Sequence, residues 1–138
     1  MKASFNSSRK FKAVNIALLT VSDTRNETSD KSGHYLSSSI NEAGHKLVEK
    51  KIVKDELDII KRILQEWISD IKIDAIISTG GTGLTKRDVT VEAHQLVYEK
   101  EISAFSTIFT LVSMDIIGTS AIQSRACAGV SNGTYLFA

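Results

Sequence analysis

The sequence of 138 residues has no proline, a single cysteine (Cys127) and a formal net charge of only +1. An average chain of this length would contain about seven prolines, so any proline-dependent motif must be altered here. The lone cysteine excludes a disulfide framework within the chain and fits a reducing compartment. The near-neutral charge comes without a dense Lys/Arg block carrying interleaved aromatic residues, so we expect no nucleic-acid partner.

Long apolar runs are also missing. No run approaches the roughly 20 apolar residues that a membrane-spanning helix needs, so we expect no membrane partner. Residues 1–12 are basic and polar without a signal-type apolar core after them, and we expect a flexible tail on a cytoplasmic protein. The composition, 42% hydrophobic and 24% charged, is ordinary for one globular domain, which we assign to residues 13–138.

The apolar pattern alternates between strand and helix periods along the chain. Continuous apolar runs typical of buried parallel strands are joined by segments with helical spacing. The predicted strands span 14–21, 46–54 (near an edge) and 73–78, and the predicted helices span 34–43, 56–71, 90–99 and 102–112. Two last strands, in "RACAGV" and "TYLFA", are predicted to form a hairpin across Ser131-Asn132-Gly133. This order predicts an α/β domain with a mostly parallel sheet and a C-terminal hairpin.

Individual polar residues have plain structural interpretations. Asp55 is placed to cap the helix over 56–71, and Thr90 is placed to cap the helix over 90–99. The three histidines, which are far apart in the sequence, are expected at the surface or at helix ends. Cys127 is expected to be a small buried apolar residue.

The most unusual stretch is "DAIISTGGTGLTKRDVT", residues 74–90, in which three glycines fall within four residues after an apolar strand. It satisfies neither the P-loop nor the dinucleotide-binding pattern. Glycines at the carboxyl end of a parallel strand still expose backbone N–H groups, which favours an anionic ligand; the alternative is a tight turn without a ligand. Asp88 is either a turn former beside Arg87 or a carboxylate facing Mg²⁺ or a substrate hydroxyl, and Asp55 could reach the same crevice.

The segment "TGGTGLTKRDVTVEA" closely resembles the signature of the molybdopterin-binding MoaB/MogA-type family, usually Gly-Gly-Thr-Gly, three residues, then Arg-Asp-Val-Thr-Pro-Glu-Ala. "LLTVSDTR" with "DKSGHYL", "EAGHKLVEKKIVKDE" and "IGTSAIQSRACAGVSNGTYLFA" are similar to further segments of that family. The resemblance covers about residues 14–138, and "SGHYL" and "IGTSAIQSRA" are nearer to the MoaB branch. It implies a three-layer domain with helices on both faces of the sheet.

The resemblance also implies a ligand site. Family members of this kind bind molybdopterin, a pterin with a dithiolene and a terminal phosphate, and the active branch joins it to AMP from Mg-ATP with release of pyrophosphate. Asp55 and Asp88 match the two carboxylates linked to Mg²⁺ and to adenylyl transfer, so they are the expected catalytic and metal-binding residues. The expected ligand-binding residues are Thr20, Ser22, Asp23, Gly80, Gly81, Thr82, Gly83, Arg87, Ser124 and Arg125. A homo-trimer or a homo-hexamer is also implied.

The sequence departs from the family pattern at three places. Val91 stands where the family has proline, at a first-turn position where proline is favoured but replaceable. Thr107 stands where the family has an acidic side chain. The family continues beyond the position of Ala138 with a Leu/Met-Pro-Gly-Ser loop and a helix, so we expect this C-terminal segment to be lacking.

Three functional hypotheses follow. The first is a molybdopterin adenylyltransferase of molybdenum cofactor biosynthesis that uses Mg-ATP. The second is a non-catalytic molybdopterin- or nucleotide-binding scaffold protein of the same pathway. The third is a generic nucleotide-binding domain unrelated to pterins. Close approach of Asp55 and Asp88 beside the glycine loop, in a walled pocket, would favour the first.

Overall fold

The computed structural model describes residues 8–138, so the first seven residues of the predicted tail lie outside the described part. The elements in chain order are β1 (Asn15–Val21), α1 (Lys31–Glu42), β2 (Lys46–Val53), α2 (Leu57–Ile68), β3 (Ala75–Thr79), α3 (Thr90–Gln95), β4 (Lys100–Glu101), α4 (Ser103–Ile117), a 3-10 helix (Gly118–Gln123), β5 (Ala128–Ser131) and β6 (Thr134–Phe137).

One six-stranded sheet runs in the order β2-β1-β3-β6-β5-β4. The pairings β1–β2, β1–β3 and β3–β6 are parallel, and the pairings β5–β6 and β4–β5 are antiparallel. The turn between β5 and β6 uses Asn132 at φ 49° and Gly133 at φ 76°, because a tight hairpin needs positive φ at both central residues. The predicted α/β class, the mostly parallel sheet and the C-terminal hairpin are therefore confirmed.

The main core lies between one face of the sheet and α2. Leu19 is fully buried against the stripe of α2, in which Ile60 and Leu64 are fully buried and Trp67 is 4% exposed. Burying each such side chain stabilises the fold by about 1.5–3 kcal/mol. The stripe was also expected to include Ile71, which is wrong: the helix ends at Ile68, and Ile71 is 96% exposed.

The opposite face of the sheet is covered by α1 and by the first part of α4. Ile40 of α1 packs with Ile16 and Ala75. The Phe105 ring of α4 meets the Phe137 ring of β6 with centroids 5.3 Å apart. Helices therefore cover both faces, and the domain has three layers.

Several sequence-based expectations about helix ends and burial are wrong. Asp55 does not cap α2, because the helix starts at Leu57 and its N-cap is Glu56, which makes no side-chain cap bond. Thr90 is the first residue of α3 rather than its cap, and α3 stops at Gln95 because the short strand β4 follows. His94 lies in the last turn of α3, as expected of a helix-end histidine, but it is fully buried, because Ser78 and Tyr98 supply partners for both ring nitrogens.

The longest helix is the least buried. None of the residues of α4 is buried. Together with the 3-10 helix it forms a stretch, Ser103–Gln123, that contains an 18-residue window of mean hydropathy 1.5 and is long and apolar enough to cross a membrane by length and composition alone. The expectation that no run approaches this length is therefore wrong, because scattered Ser and Thr residues interrupt the sequence pattern without making the helix polar. One such helix is weak support for a membrane span, and an interface between protein subunits requires the same apolar surface.

Candidate functional site

The glycine loop lies where β3 ends, beside the carboxyl ends of β1 and β2. Gly80 and Gly81 adopt φ of 89° and 68°, a region that residues with a Cβ rarely occupy. A Cβ on Gly80 would collide with the carbonyl oxygen of Val21 at the end of β1. Within residues 8–138, the amide N–H groups of Gly81 and Thr82 meet no hydrogen-bond acceptor. Glycine is therefore required here by close backbone approach, and the loop offers free amide donors.

Asp55, which follows β2, places its carboxylate against this loop. A Cβ built on Gly81 would lie 2.6 Å from Asp55 Oδ1. That oxygen is buried and is without a hydrogen-bond partner in the described structure. Burial raises the pKa of Asp55, and the negative charges of Asp23 and Asp88 raise it further. A buried carboxylate oxygen without a donor is costly, so this atom is suited to a cation or to a ligand proton.

Asp88 flanks the loop five residues after Gly83. Its Oδ2 accepts from the Thr85 amide at 2.9 Å and from the Thr85 hydroxyl at 2.8 Å, and it lies 2.7 Å from the position of a Cβ on Gly83. The Thr85 hydroxyl contributes most to lowering the pKa of Asp88. Asp88 therefore shapes the glycine loop as a turn former does, and its negative charge also acts on Asp55.

A bidentate ion pair joins the loop to the end of β1. Nε and Nη2 of Arg87 donate to the Asp23 carboxylate at 2.7–3.1 Å. The same carboxylate also accepts from the Asp55 amide at 3.1 Å. The hydrogen bond from Arg87 is the main cause of the lowered pKa of Asp23. Asp23 and Arg87 are both exposed, so the pair alone adds little stability, but it fixes Asp55 and the loop relative to each other.

Arg125 crosses from the C-terminal part of the chain to the same loop. Its guanidinium donates to the backbone carbonyl oxygens of Thr82, Gly83 and Asp88 and forms an ion pair with Glu92. Ser124, its neighbour, is exposed.

The hydroxyls of Thr20 and Ser22, which were expected to bind the ligand, are hydrogen-bonded to other protein groups. Thr20 is 1% exposed, and its hydroxyl donates to the Asp30 carboxylate at 2.8 Å, below the sheet edge. Ser22 accepts from the Thr24 and Arg25 amides and shapes the following loop. The structure therefore gathers Asp23, Asp55, Arg87, Asp88 and Arg125 around the glycines, and it engages the hydroxyls of Thr20 and Ser22 inside the protein.

Sequence reasoning missed three residues that hold the site. Thr90 donates from its hydroxyl to the Gly80 carbonyl at 2.7 Å and from its amide to the Gly81 carbonyl at 3.0 Å. Glu92 pairs with Arg125, and the fully buried Asp30 binds Thr20 and the Gly33 amide. The sequence did draw attention to Thr90 and Glu92, because both lie in the segment that follows the glycines. Their hydrogen-bond partners lie in other elements and could not be inferred from this segment.

A cavity of about 260 Å³ adjoins the loop. Gly80, Thr82 and Arg125 line one side of it, and the rings of Phe105, Phe109 and Phe137 contribute an aromatic part of its lining. The larger cavity of about 450 Å³ lies at the other end of the sheet, beside the turn at Asn132 and Gly133, and includes none of the expected site residues. In residues 8–138, no three His, Cys, Asp or Glu side chains are grouped so as to hold a metal ion by themselves. Any cation at Asp55 must therefore draw further ligands from a bound molecule or from water.

The fold and this loop define a molybdopterin-binding-type domain: residues 17–137 match the family model described as "Probable molybdopterin binding domain". The chain belongs to the MoaB family of molybdenum cofactor biosynthesis proteins, which confirms the resemblance. It is 44% identical over 131 residues to molybdenum cofactor biosynthesis protein B of Escherichia coli (strain K12), covering 95% of this chain and 77% of that protein.

Two further comparisons bear on fold and activity. A crystal structure of molybdenum cofactor biosynthesis protein B superposes with a TM-score of 0.89 at 39% identity, covering 94% of this chain and 81% of that one. A protein of Methanocaldococcus jannaschii named as a probable molybdopterin adenylyltransferase is 36% identical over 137 residues, covering 94% of this chain and 81% of that protein.

Proposed function

We propose that this protein is a cytoplasmic molybdopterin adenylyltransferase of molybdenum cofactor biosynthesis. It binds molybdopterin and Mg-ATP at the glycine loop and transfers AMP to the molybdopterin phosphate with release of pyrophosphate. The observation that carries the proposal is the buried, unpartnered Oδ1 of Asp55 beside Gly81. The similarity to a relative named as a probable molybdopterin adenylyltransferase supports it.

The loop supplies the phosphate contacts. The free amides of Gly81 and Thr82 are donors of the kind that bind phosphate oxygens in backbone concavities. Gly80, Gly81 and Gly83 let neighbouring protein groups pack closely against the loop, because a Cβ would lie 2.1 Å from the Val21 carbonyl oxygen, 2.6 Å from Asp55 Oδ1 and 2.7 Å from Asp88 Oδ2, respectively. The aromatic side of the adjoining cavity suits a planar heteroaromatic ring.

The residues present fit Mg²⁺. This ion is commonly held by one or two carboxylates together with substrate phosphates and water. Asp55 offers the unpartnered oxygen, and Asp88 offers a second carboxylate from the glycine loop. When bound, Mg²⁺ neutralises phosphate charge. Asp23 and Arg87 keep Asp55 in place, since the Asp55 amide and the Arg87 guanidinium both bind the Asp23 carboxylate.

Adenylyl transfer to molybdopterin does not require a side chain as the nucleophile. A terminal phosphate oxygen of molybdopterin attacks the α-phosphorus of ATP, a new P–O–P bond forms, and the bond to the β-phosphate oxygen breaks with that oxygen keeping the electron pair. The protein holds both reactants in line and stabilises the developing negative charge with backbone donors. Arg87 and the exposed Ser124 complete the proposed ligand contacts on either side of the loop.

One observation favours the alternative, a scaffold protein that binds molybdopterin or a nucleotide without turnover. The Asp88 Oδ2 atom is already used by the Thr85 amide and hydroxyl. If the carboxylate stays in this position when ligand is bound, only its other oxygen remains for a metal ion. Binding would then persist while adenylyl transfer is slow.

We propose that the protein assembles as a trimer, alone or doubled into a hexamer, through α4. Large apolar side chains on this helix are exposed, and they include Ile108, Leu111, Val112, Ile116 and Ile117. Exposed apolar surface of this kind marks an interface in a protein that functions in water.

Calorimetry with Mg-ATP tests the site, and pyrophosphate release in the presence of molybdopterin tests the chemistry. We expect Asp55→Asn to weaken Mg-ATP binding at least about tenfold, since one charge-assisted contact to a cation is lost. Asp58→Asn, on the exposed side of α2, is the matched control and should bind as the parent does. Parent protein that binds Mg-ATP but releases no pyrophosphate would favour the scaffold, and absence of Mg-dependent binding would refute the adenylyltransferase.

A further inference from the structure

Arg125 was expected to contact the ligand, yet its guanidinium is occupied by the protein. Nε donates to the carbonyl oxygens of Thr82 and Gly83 at 3.2 and 3.0 Å. Nη2 donates to the Asp88 carbonyl at 3.2 Å and to the Glu92 carboxylate at 3.3 Å, and Nη1 also donates to Glu92. A guanidinium has five N–H groups, and four of them are therefore directed at this loop and its neighbouring helix.

We propose that Arg125 is a positioning residue that clamps the segment 82–88 against the start of α3, directly after the phosphate-binding amides of Gly81 and Thr82, and that it does not itself contact the phosphate. Both ends of the segment are held by one side chain, because the bonded carbonyls belong to Thr82, Gly83 and Asp88. The inference rests on the proposed function for its effect on ligand binding, but the clamp itself is a property of the protein alone.

The geometry of the peptide group explains how a clamp on carbonyls controls the amides. In a trans peptide the C=O and the N–H point in opposite directions. Holding the Thr82 carbonyl towards Arg125 turns the Gly83 amide away from it, and this amide contributes to the lowered pKa of Asp88. Holding the Gly83 carbonyl likewise fixes the direction of the Leu84 amide. The positive charge beside the carbonyls also polarises the peptide groups, which strengthens their N–H groups as donors.

Glu92 holds the other side of the clamp. Its carboxylate meets both terminal nitrogens of Arg125, the two-pronged arrangement that only arginine makes well. Glu92 stands on α3, two residues after Thr90, which binds the carbonyls of Gly80 and Gly81. The start of α3 therefore supports the first half of the loop directly and the second half through Arg125.

The clamp and a direct phosphate contact predict opposite effects for one substitution. Neutralising Glu92 removes negative charge from the neighbourhood of a bound anion and frees Arg125. If Arg125 contacted the phosphate, Glu92→Gln would tighten Mg-ATP binding. If Arg125 is a clamp, Glu92→Gln loosens the segment and weakens binding.

The first measurement is amide hydrogen exchange by NMR on the ligand-free full chain, for the parent, Arg125→Lys and Glu92→Gln. We expect exchange of the two hydrogen-bonded amides of this segment, those of Thr85 and Asp88, to rise about tenfold in Arg125→Lys, since the backbone contacts that hold the segment are lost. Exchange in β1 should stay as in the parent. Arg62→Lys and Glu42→Gln, both at exposed positions on helices away from the loop, are the matched controls.

The second measurement is the Kd for Mg-ATP by calorimetry, with an expected weakening of about tenfold in Arg125→Lys and severalfold in Glu92→Gln. Unchanged exchange of the Thr85 and Asp88 amides in Arg125→Lys, or tighter binding in Glu92→Gln, would overturn the clamp. If the parent binds no Mg-ATP, the proposed function fails while the exchange result still decides whether Arg125 holds the segment. If Arg125→Lys does not fold, Glu92→Gln decides alone.

Discussion

The Thr90 hydroxyl donates a 2.7 Å hydrogen bond to the carbonyl oxygen of Gly80. Thr90 is fully buried, so no water replaces the bond when the hydroxyl is removed. We expect Thr90→Val to lower the free energy of unfolding by about 1–3 kcal/mol, the cost of an unsatisfied buried acceptor. Thr90→Ser keeps the hydroxyl and should lose less. Urea unfolding of the two variants measures the difference, and a Thr90→Val protein as stable as the parent would show that the hydrogen bond adds no stability.

Substitution of Gly81 separates backbone strain from contact at the site. Gly81 (φ 68°) and Gly133 (φ 76°) share a left-handed conformation, but only Gly81 has Asp55 Oδ1 within 2.6 Å of the place of a Cβ. We expect Gly133→Ala to lower the free energy of unfolding by about 1–2 kcal/mol through strain alone. Gly81→Ala should lower it further and should also reduce Mg-ATP binding.

Thermal unfolding and calorimetry on both variants provide the comparison. A Gly81→Ala protein that binds Mg-ATP as well as the Gly133→Ala protein would contradict a ligand contact at this part of the loop.

His94 gives the stability a specific dependence on pH. Its Nε2 lies 2.7 Å from the Ser78 hydroxyl and its Nδ1 lies 3.1 Å from the Tyr98 hydroxyl. Burial lowers the pKa of His94 from 6.5 to about 3. The unfolded chain therefore binds more protons between these values, and stability contributed by neutral His94 is complete above pH 6.5 and is lost as the pH falls towards 3.

We expect this one group to reduce the free energy of unfolding by up to about 3 kcal/mol between pH 6.5 and pH 4. His94→Gln removes the titration but keeps polar atoms near both partners. The gap in stability between the parent and His94→Gln should shrink as the pH falls through this range. A gap that is constant with pH would show that His94 titrates normally in the folded protein.

Substitutions on α4 test the proposed assembly. Ile116 is 78% exposed on α4, and Ile71 is 96% exposed on the loop after α2. We expect Ile116→Lys to shift the protein to monomers, because a charge in an apolar interface costs several kcal/mol. Ile71→Lys is the same substitution at an exposed position away from α4, and it should leave the molar mass of the assembly unchanged. Size-exclusion chromatography with light scattering gives the mass, and a parent that is already monomeric would refute assembly through this helix.

Short-range pattern was enough to predict the architecture. The stripe of Ile60, Leu64 and Trp67 identified α2, and Asn132-Gly133 identified the hairpin, because burial at helical spacing and positive φ are local requirements. The glycine loop was recognisable for the same reason. Its ligand remained open until the family resemblance was considered, because several anions satisfy the same amides.

Side-chain partners could not be predicted, since they lie far apart in the sequence. The Thr20 hydroxyl donates to the Asp30 carboxylate, and the Arg125 guanidinium donates to backbone carbonyl oxygens 37–43 residues earlier in the chain. Histidine is a polar residue type that is expected at the surface, but the ring of His94 is buried and hydrogen-bonded to the hydroxyls of Ser78 and Tyr98. The exposure of α4 could not be predicted either. Apolar residues at helical spacing indicate a surface that must be covered, but they do not say whether the same chain or another molecule covers it.

The position of β6 has a consequence for how the chain folds. β6 is the last strand in the sequence, yet it sits in the middle of the sheet between β3 and β5, and Leu136 at its centre is fully buried. A nascent chain that has emerged only as far as α4 therefore exposes the hydrogen-bonding edge of β3, which is a template for unwanted strand pairing. Productive folding on the ribosome must wait for the hairpin, and substitutions that slow its closure at Asn132-Gly133 should show first as aggregation during synthesis.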